Sequence, residues 1–91
     1  MKLLFEWDAS KARANLKKHG ISFEEATTVF GDIDAITIKS KVSSSEERFV
    51  TIGKSLVGEL IIVVVHTDRN DRIRIISARP ASKAERKQYV G

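Results

Sequence analysis

Leu60-Ile61-Ile62-Val63-Val64-Val65-His66-Thr67, then Asp68-Arg69-Asn70-Asp71, then Arg72-Ile73-Arg74-Ile75-Ile76-Ser77-Ala78-Arg79, is the stretch that decides how this chain folds. Its first segment is a nearly unbroken run of aliphatic, largely β-branched residues, the pattern of a buried strand. Four polar residues follow, a composition that suits a tight turn. The last segment sets arginine against isoleucine, and alternate residues of a strand share one face. The expected unit is a hairpin with arginines on one face of a sheet. Stacked cations do not stabilise a sheet, so the pattern points to a polyanionic partner, with RNA first among them.

Upstream of the hairpin, residues 47–54 read as a strand and 55–58 as a turn. Residues 35–39 read as another strand, and 40–46 form a polar, serine-rich loop. Downstream, Pro80 ends the last strand. Ser82 and Glu85 then have the spacing of a capping box, which opens a C-terminal helix carrying Lys83, Arg86, Lys87 and Tyr89. Near the N-terminus, residues 3–7 suit a short strand. Asp8 is a good N-cap, and Ala9, Ala12 and Leu16 recur at helical spacing as the apolar stripe of a first helix. Gly20 closes that helix, with His19 beside it in a structural position. Ser22 and Glu25 form a second capping box, with Phe23, Ala26, Thr27 and Phe30 facing inward. The predicted order is β-α-α-β-β-β-β-α. This is an α+β fold with an antiparallel sheet, two N-terminal helices on one face and arginines on part of the other.

Ninety-one residues make one domain, residues 1–91, with a modest core. Apolar residues are 42% and charged residues 31%, a globular balance. Cysteine is absent, which removes disulfides, thiolate metal sites and cysteine nucleophiles and suits a reducing compartment. The longest apolar run, residues 60–65, falls far short of the ~20 needed to cross a membrane. No signal peptide is evident at Met1-Lys2-Leu3-Leu4-Phe5-Glu6, so a soluble, cytoplasmic protein is expected. The net charge is +4, from sixteen Lys and Arg against twelve Asp and Glu. Residues 69–87 alone hold seven cations against two acids, and Lys11, Arg13, Lys17 and Lys18 form a second cluster. Either cluster suits a nucleic-acid contact or a solvated face.

No Gly-rich phosphate loop or nucleophile elbow is present, and two histidines 47 positions apart make no metal site. No cofactor or metal is expected. Asp32 and Asp34 read as caps or solvated charges, and Trp7 as a core or lid residue rather than a base-stacking one. RNA cleavage needs no metal, because RNA carries its own nucleophile in the 2′-hydroxyl. An enzyme must help remove that proton, stabilise the phosphorane and protonate the leaving oxygen. Arginine suits the middle task, since its planar fork meets phosphate oxygens two at a time. Histidine or tyrosine can move the protons. The candidate catalytic residues are therefore His66, Arg74, Arg79, Arg86 and Tyr89, which could converge on one pocket. Arg69, Arg72 and Lys83 are candidate RNA contacts. Arg79 precedes Pro80, which holds its backbone extended and makes it the first choice.

Several stretches together resemble the BrnT family of toxins. They are Phe5-Glu6-Trp7-Asp8, then Lys11, Asn15, Lys18-His19-Gly20-Ile21 and Phe23-Glu24-Glu25-Ala26. Glu47-Arg48-Phe49, Gly53, Val65-His66-Thr67 and Arg72 through Arg79 continue the match, with Ala81, Glu85-Arg86 and Tyr89 completing it. The resemblance implies a RelE-like fold and a ribonuclease that arrests translation within a type II toxin–antitoxin system. It also implies a BrnA-like antitoxin that neutralises the toxin and brings the pair to operator DNA. Without the resemblance, the residues leave open a non-catalytic nucleic-acid-binding domain, or an interaction domain with a basic face.

Overall fold

The computed structural model describes residues 3–40 and 47–90. The elements are β1 (Phe5–Glu6), α1 (Ala9–His19), α2 (Phe23–Thr28), a 3-10 turn (Val29–Gly31), β2 (Ile36–Lys39), β3 (Phe49–Lys54), β4 (Ile61–Arg69), β5 (Arg72–Pro80) and α3 (Lys83–Val90). This is the expected order. Most of the loop expected over 40–46 lies outside the described residues.

The local signals act as the sequence implies. The Asp8 carboxylate accepts from the Lys11 amide at 3.0 Å, and Gly20 ends α1 in the left-handed region at φ 73°. At α3 the box closes in both directions. Ser82 N donates to Glu85 Oε1 at 2.8 Å, and Glu85 N donates to Ser82 Oγ at 3.2 Å. At α2 only half of it forms. Ser22 Oγ accepts from Glu25 N, but the Glu25 carboxylate accepts instead from Ser55 Oγ at 2.7 Å, tying α2 to the β3–β4 turn.

Strands β2 to β5 form the expected antiparallel meander, but the sheet as a whole is mixed. Its order is β1-β5-β4-β3-β2, and β1 runs parallel to β5, with Phe5 opposite Ile73 and Glu6 opposite Arg74. The two helices carry the chain from the β1 edge to the β2 edge, so the first strand lies beside the last. Ile21, Phe23, Ala26 and Val29 pack on Ile62, Val64, Ile75 and Ala78 to form the main core between the helices and the sheet. Trp7 belongs to this core, edge-on to Phe23 with ring centroids 5.9 Å apart. A smaller cluster of Ile52, Val63 and Ala81 lies on the opposite face, with Tyr89 of α3 against it. Gly53 lets the 3-10 turn close on β3, since a Cβ there would lie 2.5 Å from Val29 Cγ1.

The apolar stripe of α1 differs from the expected one. Leu16 is 50% exposed, and the side chain turned inward is Asn15, 7% exposed. Its amide nitrogen donates to Ile21 O at 3.0 Å and Ala78 O at 2.7 Å, and its oxygen accepts from Ala78 N at 3.1 Å. These three bonds remove the cost of burying the amide and orient the helix. Replacing Asn15 by Ala strips partners from three buried backbone groups. Asn15→Ala is expected to cost about 3 kcal/mol, and Leu16→Ala less than about 0.5 kcal/mol. Urea denaturation of both variants checks this, and a larger loss for Leu16→Ala would contradict the orientation of α1.

Candidate functional site

The β4–β5 hairpin turns through Asn70 and Asp71, both at positive φ (51° and 64°). This is the turn that matches the twist of the two strands. Pairing then places Arg69 opposite Arg72, Thr67 opposite Arg74 and His66 opposite Ile75. Next, the register shifts. Val65 faces Ser77 and Val63 faces Arg79, so Ile76 is an extra residue in β5, a β-bulge. The bulge reverses the phase of alternation. Arg72 and Arg74 occupy even positions and Arg79 an odd one, yet all three lie on the face of Thr67, Val65 and Val63. That face is opposite the one on which α1 and α2 pack.

Each central arginine has a carboxylate beside it. Arg74 Nη1 donates to Glu6 Oε2 at 3.0 Å, between side chains that are both mostly buried. Arg79 donates to both oxygens of Glu85, Nη1 at 2.7 Å and Nη2 at 2.8 Å. That bidentate pair, helped by the Ser82 capping bonds, holds the Glu85 carboxyl down at about 2. It also keeps the Arg79 guanidinium firmly charged. Glu85 thus links the start of α3 to the end of β5.

His66 does not join this face. Its pairing and alternation turn it toward the helices, where it is 5% exposed, stacked on Phe49 and edge-on to Phe30. Its Nε2 lies 2.7 Å from Thr51 Oγ1, which in turn bonds Thr37 Oγ1, and its Nδ1 is buried with no hydrogen-bond partner. Burial lowers its pKa, while Asp68 opposes the shift. The expected convergence of His66 with Arg74, Arg79, Arg86 and Tyr89 therefore needs correction, because the sheet itself separates His66 from the arginines.

Tyr89 lies on the arginine side, but its hydroxyl donates to Asp32 Oδ2 at 2.6 Å. That bond pushes the phenol up to about 12, far from where it would exchange protons near neutrality. Asp32 also accepts from the amides of Lys54 and Asp34, the structural role expected of it. Arg86 is exposed on α3 and donates to Ala81 O at 3.2 Å, while Arg69, Arg72 and Lys83 are exposed.

Three further residues belong to this description, none of which the sequence marks as a site residue. Glu6 and Glu85 matter through their arginines. Arg48, just before β3, has its Nε buried without a hydrogen-bond partner. A signal for Glu85 was present in its capping box. Glu6 and Arg48 stand only in the stretches that carry the family resemblance, and the Arg74 partner of Glu6 is distant in the chain.

A family model described as the ribonuclease toxin BrnT of type II toxin–antitoxin systems matches residues 7–85. No curated protein matches the chain.

The carboxyl of Glu85 has a folded-state pKa of about 2 against an ordinary value of 4.5. The unfolded chain therefore binds more protons between these values. The stabilisation is complete above 4.5 and is lost as pH falls toward 2. Unfolding measured along that acid range should show a shallower pH dependence for Glu85→Gln than for the wild type. Identical slopes would mean that the Arg79–Glu85 pair does not persist in solution.

Proposed function

The chain belongs to the BrnT family of type II toxin–antitoxin ribonuclease toxins, and from that premise we propose a metal-independent endoribonuclease whose active face is the arginine side of β5. The observation that carries this reading is the Arg74–Glu6 pair, at 3.0 Å on the sheet face shared with Arg72 and Arg79. It sets a permanent cation beside a carboxylate, two of the three functions that cleavage by the 2′-hydroxyl demands. Glu6 takes the 2′-hydroxyl proton. The 2′-oxygen bonds to the adjacent phosphorus, and the bond from phosphorus to the 5′-oxygen breaks as that oxygen takes a proton from water. Arg74 and Arg79 hold the phosphorane oxygens as negative charge grows there. The products are a 2′,3′-cyclic phosphate and a 5′-hydroxyl end.

Arg69, Arg72, Lys83 and Arg86 flank this centre and contact neighbouring phosphates. His66 and Tyr89 act by position in this reading. His66 fills the aromatic layer beneath the sheet, and Tyr89 fastens α3 through Asp32. The chain works as one RelE-like domain in the cytoplasm, where cleaving RNA stops translation. Its antitoxin is BrnA-like. An acidic segment of that partner neutralises the toxin by pairing with the same arginines, and operator DNA is reached only through the antitoxin.

Purified toxin is expected to cleave RNA in excess EDTA and to leave cyclic or 3′-phosphate ends, which end-labelling and mass spectrometry can identify. Cleavage that stops on chelation and returns with magnesium would defeat the mechanism.

Arg74→Ala separates transition-state stabilisation from simple binding. Losing one preorganised donor lowers the chemical step about 10²–10³-fold, while affinity for uncleavable RNA should fall much less. Single-turnover rates and binding isotherms measure the two. Equal losses in both would reduce Arg74 to a phosphate contact.

A further inference from the structure

Helix α1 has a charge pattern that the proposed chemistry does not use. Its eleven residues, ASKARANLKKH, include Lys11, Arg13, Lys17 and Lys18 and no acid. Lys11, Lys18 and His19 line a groove of about 230 Å³, whose opposite wall is Ile76 and Ser77 of the β5 bulge. No ion pair involves Lys11 or Lys18 among the described residues.

The groove exists because the outer edge of β5 is only partly covered. Strand β1 pairs with it at Ile73 and Arg74, and the Asn15 amide occupies both backbone groups of Ala78. On this edge, residues 75–77 between them pair with no strand among the described residues. The groove also reaches the strand that carries the arginines. Ser77 lies in its wall and in β5 between Arg74 and Arg79. The Asp8 carboxyl, at the head of α1, is lowered chiefly by its bond from the Lys11 amide. The charges of Lys11 and Arg74 both add to that effect, so the two cations act on one locality.

We propose that the groove between α1 and the open edge of β5 binds the RNA sugar–phosphate backbone through Lys11 and Lys18, extending the arginine face around the sheet edge. This rests on the ribonuclease reading above. Two features favour RNA over an acidic peptide. The open edge is three residues, roughly 10 Å at about 3.3 Å per residue, too short to pair an added strand securely. Lys11 and Lys18 are seven residues apart, also roughly 10 Å along a helix that rises 1.5 Å per residue. Lysines so placed suit separate phosphates as point charges, without the shape demands of a paired chain.

The test uses the full-length protein and an uncleavable 2′-O-methyl oligoribonucleotide, with affinity measured across a range of salt. Each phosphate contact on a single strand contributes about 0.7 to the slope of log affinity against log salt. The double variant Lys11→Ala/Lys18→Ala should bind about tenfold more weakly at low salt and lose roughly 1.4 from that slope. Lys11→Arg/Lys18→Arg should restore both, which a merely unfolded protein would not do. Arg74→Ala, measured in parallel, reports on the arginine face alone. A lowered slope for Arg74→Ala with an unchanged slope for the lysine pair overturns the groove and leaves the active face standing. No change in either overturns both. Lysine variants that keep the RNA slope but lose affinity for the antitoxin would assign the groove to protein, against the proposal.

Discussion

One extra residue in one strand governs both the core and the candidate site. Strict alternation along β5 would carry Arg79 to the face of Ile73 and Ile75, beneath the helices. Ala78 occupies that side, fully buried. An arginine there would bring a charge into an apolar layer, at a cost that no short rearrangement could offset. The bulge at Ile76 resolves the conflict by turning Ala78 inward and Arg79 outward. Asn15 holds the arrangement in place, since its amide satisfies the N–H and the C=O of Ala78 as a neighbouring strand would. The helix that supplies this amide is the cationic one, so the same residue fixes the bulge and sets α1 against the strand edge.

The sheet then separates two kinds of chemistry. On the helix side, aromatic rings and aliphatic chains surround His66, and burial there lowers its pKa, which favours the neutral form. On the other side, each central arginine rests against a carboxylate. Such pairs add little stability near the surface. Their effect here is directional: an arginine held by a carboxylate loses its freedom to swing and presents its remaining donors along a fixed line. Each pair also lowers the net charge of the resting face, so RNA is drawn in by the whole cationic field rather than by one exposed residue.

What the sequence makes legible is what depends on nearby residues. Asp8, Gly20, Ser82 and Glu85 mark helix ends through contacts within four positions, and these ends lie where expected. The hairpin and the meander follow from runs of β-branched residues. Four features escape such reading: the parallel pairing of β1, the inward turn of Asn15, the Glu25–Ser55 bond, and the bulge. All join residues far apart in sequence, or, for the bulge, depend on what packs against the strand. His66 illustrates the limit. Its position at the end of an apolar run fits a strand terminus open to solvent, and only the ring partners Phe30 and Phe49 reveal the burial.

Arg79 looked the most distinctive cation in the chain, yet the structure makes Arg74 the cleaner probe of chemistry. Glu85 is shared between two tasks. Its carboxylate caps α3 through Ser82 and also receives both arms of Arg79. Removing Arg79 would free a carboxylate held at about 2 and disturb the start of a helix that Tyr89 and Asp32 anchor at its other end. Loss of activity there would confound a missing cation with a displaced α3. Arg74 makes one bond to a two-residue edge strand, and β1 keeps its place through Phe5 in the main core. A charge removed at that point leaves the surrounding backbone with its other supports, so the effect on RNA cleavage reports on the Arg74–Glu6 pair rather than on a displaced element.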